Sequence, residues 1–479
     1  MIEKRDFYIN GAWVAPTVPN DFPVINPSTE EAFATISLGG QADTDAAVAA
    51  AKAAFTTWGV SSKADRLEVL QNIAEEYAKR GEDLAQAMSQ EMGAPISLAR
   101  ANQVGAGAYH IKNFIRAFEG FEFDKMLGAH APNDRILYEP IGVCALITPW
   151  NWPMNQVSLK VIAALAAGST MVLKPSEISP LSSVVWSEIM HDAGVPAGVY
   201  NMVNGDGVGV GTQLSTHPDV DMVSFTGSTR AGIAISKAAA DTLKRVSLEL
   251  GGKGANILFA DADEKAVKRG VLHMMQNTGQ SCNAPSRMLV QREIYDQSVE
   301  AAREIAEGVG VGPASEEGRH IGPVVSELQW GKIQDLIQKG IDEGARLVAG
   351  GTGRPEGLNK GYFVKPTVFA DVTNQMTIAR EEIFGPVLSM IPFDTEEEAI
   401  EIANDTVYGL TNYVQTQDGK RANRVARALR SGMVEVNGQG RAAGAPFGGY
   451  KQSGNGREGG VFGIEDFLEI KAASGWFNG

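Results

Sequence analysis

Cysteine is scarce in this sequence: Cys144 and Cys282 are the only two in 479 residues. They could form one disulfide at most, which excludes a disulfide-stapled scaffold. Basic residues are also in deficit, 42 Lys and Arg against 57 Asp and Glu for a net charge of −15, so a function that rests on neutralising many phosphates, nucleic-acid binding included, is not expected. Long apolar runs are missing too. The longest, Val161 to Leu173, is broken by Gly168, Ser169 and Thr170, and the first ten residues carry charges where a signal peptide needs an apolar core. The histidines His110, His130, His191, His217, His273 and His320 are scattered, with no H-x-x-x-H or Cys/His cluster, so no metal site is expected. There is no G-x-S-x-G elbow and hence no support for a serine hydrolase. These absences leave a soluble, unexported, cytoplasmic protein with neither nucleic acid nor membrane as partner.

What is present is enough for a large core. With 44% hydrophobic and 21% charged residues the chain is of globular composition, and its length suggests roughly three domains at about 150 residues each. After a strand-like FYINGAW, the N-terminal part reads as a helical layer: an Ala-rich Asp43 to Phe55, then Arg66 to Arg80 with a stop at Gly81, then Ala99 to Phe118. From Gly142 short β-rich runs alternate with helices: GVCALIT, TMVLKP, VYNMV, DMVSFTG and RVSLEL. Such alternation describes βαβ units and a parallel sheet covered on both faces. It restarts at Ala255 with ANILFA, RMLVQ, LSMIPF, TNYVQT and MVEVN, giving a second α/β domain with a cleft expected between the two. Arg135 to Glu139 and Phe467 to Lys471 are left over; they pair as a small protruding sheet or are an ordinary edge hairpin.

A dinucleotide needs a strand that ends in a tight turn feeding a helix N-terminus. The cluster Gly205, Gly207, Gly209 and Gly211 follows VYNMV, but it fits G-x-G-x-x-G in no register and reads equally as a flexible turn. FTGSTRAG fits better: Gly227 permits the turn, and Ser228 faces the same entrance or simply caps its helix. Lys174 and Glu177 follow TMVLKP at the C-terminal edge of the sheet. There they could hold an adenosine ribose, with the carboxylate repelling a 2′-phosphate and favouring NAD over NADP, or be a solvated surface pair.

The two cysteines differ in setting. Cys144 lies among apolar neighbours in GVCALIT and reads as structural, whereas Cys282 in NTGQSCNAPSR is the candidate nucleophile. Glu249, at the end of RVSLEL before Leu250-Gly251-Gly252, is either a strand-end carboxylate in water or a general base facing the cleft. The second role requires partial burial to raise its pKa. Asn151 in TPWNWP is held by bulky, rigid neighbours and could donate its amide to an oxyanion.

These segments coincide with a known pattern: the chain resembles the aldehyde dehydrogenase superfamily. TPWNWP, KPSE, FTGST, LELGGK, GQSC, EEIFGPV and PFGGYKQSGNGRE stand in the family's order, from FYINGAW to the C-terminus. The resemblance implies Cys282 as nucleophile, Glu249 as base, Asn151 with the Cys282 N–H as oxyanion hole, and Lys160 and Glu458 as positions relaying protons from the base. It implies cofactor contacts at Thr148, Trp150, Lys174, Glu177, Gly207, Gly211, Ser228, Leu250, Glu382 and Phe384. The tunnel walls it implies are Trp152, Asn155, Gln156, Leu159, Ser281, Asn283, Arg441, Ala442 and Phe447, a mouth more polar than aromatic-lined. Asn283 departs from the small or cysteine residues common at its position. The implied fold is α/β: a Rossmann-like NAD-binding domain (1–120 and 141–251), an α/β catalytic domain (252–450) and a small β oligomerisation segment (121–140 and 451–479), assembling as a homodimer or homotetramer. The implied reaction is NAD-dependent oxidation of an aldehyde to a carboxylic acid through a Cys282 thioester. Two alternatives stand beside it: a semialdehyde-specific enzyme in which Arg441 anchors a distal carboxylate, and a cysteine-dependent esterase or thioesterase.

Overall fold

The structure, a computed structural model, describes residues 1–477; residues 478 and 479, the end of the expected oligomerisation segment, lie outside the described residues. Two seven-stranded sheets organise the chain. In the first, the spatial order runs Arg245–Glu249, Met222–Thr226, Val143–Ile147, Thr170–Lys174, Tyr200–Met202, and these five strands are parallel. Each of the middle three is buried along its whole length, as expected when helices cover both faces. The order reverses between Val143–Ile147 and Met222–Thr226. Such a switch point opens a crevice at the carboxyl ends of the strands, where open α/β sheets bind ligands.

The helix that connects Val143–Ile147 to Thr170–Lys174, Pro153–Ala167, has Pro153 in its first turn and ends at Gly168 with φ of 92°, a left-handed cap that glycine takes without a Cβ penalty. Nearly all of it is buried, between the sheet and the expected helical layer formed by Lys63–Lys79, Gly81–Met92 and Val104–Glu119. The first of these helices ends at Lys79, beside the expected stop, and Gly81 opens the next.

The N-terminal region holds more strand than its helical pattern suggests. FYINGAW is a hairpin, Phe7–Ile9 against Ala12–Val14, turning at Asn10 and Gly11 with φ of 53° and 78°, the conformation that an Asn-Gly pair favours. The hairpin extends the first sheet antiparallel to Tyr200–Met202. Ile2–Lys4, Glu31–Ser37 and Asp21–Asn26 form a separate three-stranded sheet. The glycine cluster is not a flexible turn either. Gly207–Gly211 is a π-helical turn running into Thr212–Thr216, and the Asp206 carboxylate accepts from the Gly209 N–H at 2.5 Å.

The second sheet runs Arg346–Ala349, Thr367–Ala370, Val387–Phe393, Arg287–Gln291, Ala255–Leu258, Thr411–Gln415, Met433–Val436, parallel except for the first. The leftover segments do pair: Leu468–Ser474 lies antiparallel to Ala131–Pro140, which pairs in turn with Asp124–Gly128. Ser453, fully buried, ties the two large sheets together. Its carbonyl accepts from Leu250 N at 2.9 Å, while its hydroxyl donates to Gly251 O and accepts from Gly409 N. Among the described residues no helix is long and apolar enough to cross a membrane.

Candidate active site

Cys282 is reached by a buried loop of unusual backbone. Asn277, Thr278 and Gly279 have φ of 51°, 57° and 70° in succession, and left-handed conformation in a β-branched residue such as Thr278 costs of order 1–3 kcal/mol. The strain is held by hydrogen bonds. Thr278 Oγ1 donates to Gly322 O, and Gln280 donates through its N–H and Nε2 to Asn277 O and accepts through Oε1 from Val325 N. A Cβ on Gly279 would lie 2.1 Å from Gly385 O, so only glycine fits there.

This loop sets Cys282 in the wall between two cavities. One, of about 210 Å³, sits at the switch point and is lined by Trp150, Asn151, Thr226, Gly227, Ser228, Leu250, Glu382 and Phe384 as well as Cys282. The other, of about 450 Å³, is lined by all nine expected tunnel residues, Trp152, Asn155, Gln156, Leu159, Ser281, Asn283, Arg441, Ala442 and Phe447, together with Cys282 and Glu458. The helix Val104–Glu119 adds Tyr109, His110, Asn113 and Phe114, which the sequence pattern does not single out. With Trp152 and Phe447 these make the mouth more aromatic than expected.

Asn151 is fixed from both sides. Its main-chain carbonyl accepts from Gln103 Nε2 at 3.1 Å and Asn277 Nδ2 at 2.9 Å, and its own Nδ2 donates to Gln280 O at 3.0 Å. One N–H of the amide is thus committed to the cysteine loop and the second is free. Trp152 Nε1 donates to Ser281 Oγ at 2.8 Å, a further clamp on the residue before the thiol.

The surroundings of Cys282 disfavour its thiolate. Burial, then the neighbouring Glu382 and Glu249 carboxylates, push its thiol up to about 12, with Arg441 acting weakly in the other direction. Cys144, fully buried in its strand, is raised by burial as well.

Glu249 is 2% exposed and neither carboxylate oxygen has a partner. Burial first, and Glu458 second, raise its pKa well above the ordinary range. It does not face the open cleft as expected: it lines neither cavity, and its Oε1 lies against Gly448 and Gly456. Glu458, on the tunnel wall, accepts from Lys160 Nζ at 2.7 Å, and Lys160 also reaches Ser224 Oγ at 3.1 Å. Both members of this pair are buried.

On the switch-point side, Ser228 caps Thr229–Ala239, accepting from Ala231 N at 3.3 Å. Glu382 Oε1 accepts from Gly252 N at 2.8 Å, and Phe384, itself left-handed at φ of 59°, meets Trp150 edge to face at 5.5 Å. Thr148, Lys174, Glu177, Gly207 and Gly211 lie off this cavity. Thr148 N donates to Lys174 O. Lys174 Nζ is buried on Gly205 O at 2.7 Å and Pro175 O at 2.9 Å, which leaves Glu177 a loose partner at 3.5 Å. Gly211 passes the Lys174 side chain, where a Cβ would stand 3.9 Å from Cδ, and a Cβ on Gly207 would meet nothing within 4 Å.

Arg441 is not free. Its Nε stands 3.5 Å from Glu435 Oε1 and its guanidinium lies 4.7 Å over the Phe447 ring.

A thiol enclosed between a nucleotide-type crevice and a second, aromatic-lined cavity defines an α/β enzyme whose chemistry centres on cysteine. The chain belongs to the aldehyde dehydrogenase family: the profile described as Aldehyde dehydrogenase family matches residues 13–473. Among its relatives is a 3-succinoylsemialdehyde-pyridine dehydrogenase of a Pseudomonas species, 52% identical over 478 residues and covering 99% of each chain. Among solved structures, an aldehyde dehydrogenase from Bartonella henselae is 59% identical with a TM-score of 0.99, covering 99% of this chain and 100% of that one. An aldehyde dehydrogenase C variant from Pseudomonas syringae, in complex with NAD+ and octanal, is 49% identical with a TM-score of 0.97, covering 99% and 97%.

Proposed function

We propose that this enzyme oxidises an uncharged aldehyde to a carboxylic acid with NAD as hydride acceptor. The observation that carries the reading is the position of Cys282 as the common wall of two cavities, one at the switch point with room for the reactive end of a dinucleotide and one for an aldehyde. The residues present suit the cofactor: a capped helix N-terminus at Ser228 for the pyrophosphate, the Glu382 carboxylate for one ribose, and a loosely paired Glu177 with an oxygen to spare for the other. Relatives support the substrate class, since one is named for a pyridine-bearing semialdehyde and another was solved with octanal. The Glu435–Arg441 pair supports it too, because Arg441 is already engaged by a carboxylate of the tunnel wall.

Cys282, once deprotonated, attacks the carbonyl carbon, and the free N–H of Asn151 with the Cys282 main-chain N–H holds the resulting oxyanion. The chemistry NAD supplies when bound is acceptance of the hydride from that carbon, which leaves a thioester on Cys282. Glu249 then takes a proton from water, directly after rotating from its place beside Gly448 or across an intervening water, and the hydroxide so formed cleaves the thioester. Lys160 and Glu458 lie next to this base and share its proton. In the same reading, residues 1–120 and 141–251 bind the nucleotide and residues 252–450 carry the thiol. Residues 121–140 and 451–479, with Met126, Leu127 and Ile470 exposed, mediate dimer or tetramer formation.

The test follows reduced-cofactor absorbance with NAD or NADP against aliphatic, aromatic and carboxylated aldehydes, beside a Cys282→Ala control. NADH formation that the control lacks is expected, strongest with uncharged aldehydes. No signal with either cofactor, alongside Cys282-dependent ester cleavage, would favour the hydrolase instead.

A further inference from the structure

Each turnover of aldehyde to carboxylate releases protons, yet the Glu249 carboxylate is buried. Side chains alternate along a strand, so Arg245, Ser247 and Glu249 share one face of Arg245–Glu249, an edge strand of its sheet. They form a row from the buried base toward the surface. Ser247 Oγ donates a short hydrogen bond to Asp466 Oδ2, at the end of the helix Gly460–Asp466. Arg245 Nη1 donates to Asp466 O at 3.0 Å and Leu468 O at 2.7 Å, and its Nη2 meets Glu469 at 2.8 Å where the side chain emerges. Between the first two members of the row the chain leaves a gap: a Cβ on Gly456 would stand 2.4 Å from Ser247 Oγ and 3.2 Å from Glu249 Oε1. Any side chain at Gly456 would crowd both oxygens.

We propose that Asp466, acting through Ser247, is the outlet by which the proton taken up by Glu249 reaches solvent. In the step itself the water O–H bond breaks, its proton goes to the Glu249 carboxylate and its oxygen bonds to the acyl carbon as the carbon–sulfur bond breaks. Glu249, which has no hydrogen bond to Ser247 at rest, then releases the proton to the Ser247 hydroxyl after rotating or across an intervening water, and the hydroxyl's own proton passes to Asp466 and thence to bulk water. The setting suits an exchange of protons. Asp466 is half-buried, and burial with Glu458 raises its pKa while the Ser247 hydrogen bond, Lys160 and Arg245 oppose the rise. The charged groups around the row are Glu458, Lys160, Arg457, Arg245 and Glu469. Asp466 touches no reacting atom; it is a positioning residue for proton release, and its role rests on Glu249 being the base.

The test uses p-nitrophenyl acetate without cofactor, so that it stands apart from aldehyde oxidation. The p-nitrophenolate burst reads acylation of Cys282 and the steady state reads hydrolysis. Asp466→Asn keeps the size and a hydrogen bond to Ser247 but cannot carry the proton. The burst and KM are expected to stay as in the parent protein, while steady-state hydrolysis falls at least tenfold and recovers as imidazole buffer is raised. Asp466→Glu should retain most of the rate, and Ser247→Ala should repeat the loss. An unchanged steady state in Asp466→Asn would overturn the proposal. So would burst and steady state falling together without buffer rescue, the signature of a merely structural clamp, or hydrolysis that is indifferent to Glu249→Gln. Ester hydrolysis that behaves as expected in a protein that makes no NADH would refute the proposed oxidation and leave the outlet standing.

Discussion

Replacing Glu249 by Gln isolates the hydrolytic half of the reaction, and the structure says how large the effect should be. The substitution preserves shape, so Cys282, Asn151 and the loop that carries them stay in place. A general base contributes about 10²–10⁴-fold. The upper half of that range is expected here, about 10³–10⁴-fold or roughly 4–5.5 kcal/mol of barrier, because the alternative carboxylate on the tunnel wall, Glu458, already has Oε1 bound to Lys160. In rapid-mixing experiments the first equivalent of NADH should form at the parental rate, while the following turnovers nearly stop and a thioester adduct of Cys282 accumulates, visible by intact mass. Stability should move the other way. Burial places the folded pKa of Glu249 well above its ordinary value near 4.5, so the fold prefers the neutral acid. As pH rises above that ordinary value the unfolded chain ionises first, and stability is lost through the window up to the folded pKa. Gln removes that loss, so the variant's Tm should exceed the parent's at pH 8 and the difference should vanish near pH 4. Equal losses of burst and steady state, or a lower Tm at pH 8, would refute the reasoning.

Asn151→Ala removes an oxyanion donor and should lower kcat by about 10²–10³-fold, with the NADH burst slowed in proportion, because hydride transfer itself is affected. Glu177→Ser removes the carboxylate placed to meet the adenosine ribose; KM for NADP relative to NAD should fall at least tenfold, and an unchanged ratio would place the ribose elsewhere. Arg441→Ala should alter KM for carboxylated and neutral aldehydes alike, since the arginine is paired with Glu435; a selective rise for carboxylated aldehydes would restore the anchoring role. Gly279→Ala forces a Cβ to 2.1 Å from Gly385 O in a left-handed residue, and a loss of about 1–3 kcal/mol in chemical denaturation together with loss of Cys282 reactivity is expected.

Most of the parallel strands were legible as short β-rich runs, several of them apolar and bounded by Gly, Pro or a charged residue, as in TMVLKP and DMVSFTG; Thr367–Ala370, parallel to Val387–Phe393, was not singled out. Nor was the N-terminal sheet. Asp21–Asn26 contains Pro23, which argues against a strand unless it lies at an edge, where this one does. Arg346–Ala349 hides in the same way as an antiparallel edge. Of the site, the residues inside fixed motifs could be named, and the tunnel residues do converge on one cavity. Gln103 and Asn277, which hold the Asn151 carbonyl, stand 48 and 126 residues from it in sequence and carry no local pattern. The Arg441–Glu435 pair and the aromatic contribution of Val104–Glu119 were hidden for the same reason. Which charge meets which, and which helix closes a cavity, is decided by packing between distant elements.

That pairing of charges also explains how one site can admit an aldehyde and reject its product. Arg441 on the tunnel wall is answered by Glu435, and Lys160 behind it by Glu458, while His110 is held down to about 4 by burial and stays neutral at physiological pH. An uncharged aldehyde gives up little hydration on entering such a cavity and is repelled by nothing in it. Hydrolysis of the thioester creates an anion where burial already pushes the Cys282 thiol upward. The newly formed carboxylate therefore finds both Arg441 and Lys160 already paired, and a desolvated anion left without a partner costs several kcal/mol. The same electrostatics that keep the thiol protonated at rest thus drive the acid out once it forms. Adding a cation to the tunnel wall, as in Leu159→Lys, should accordingly convert product release into the slow step, with carboxylates becoming inhibitors tighter by tenfold or more. Inhibition constants unchanged from the parent would show that release is governed by something other than charge.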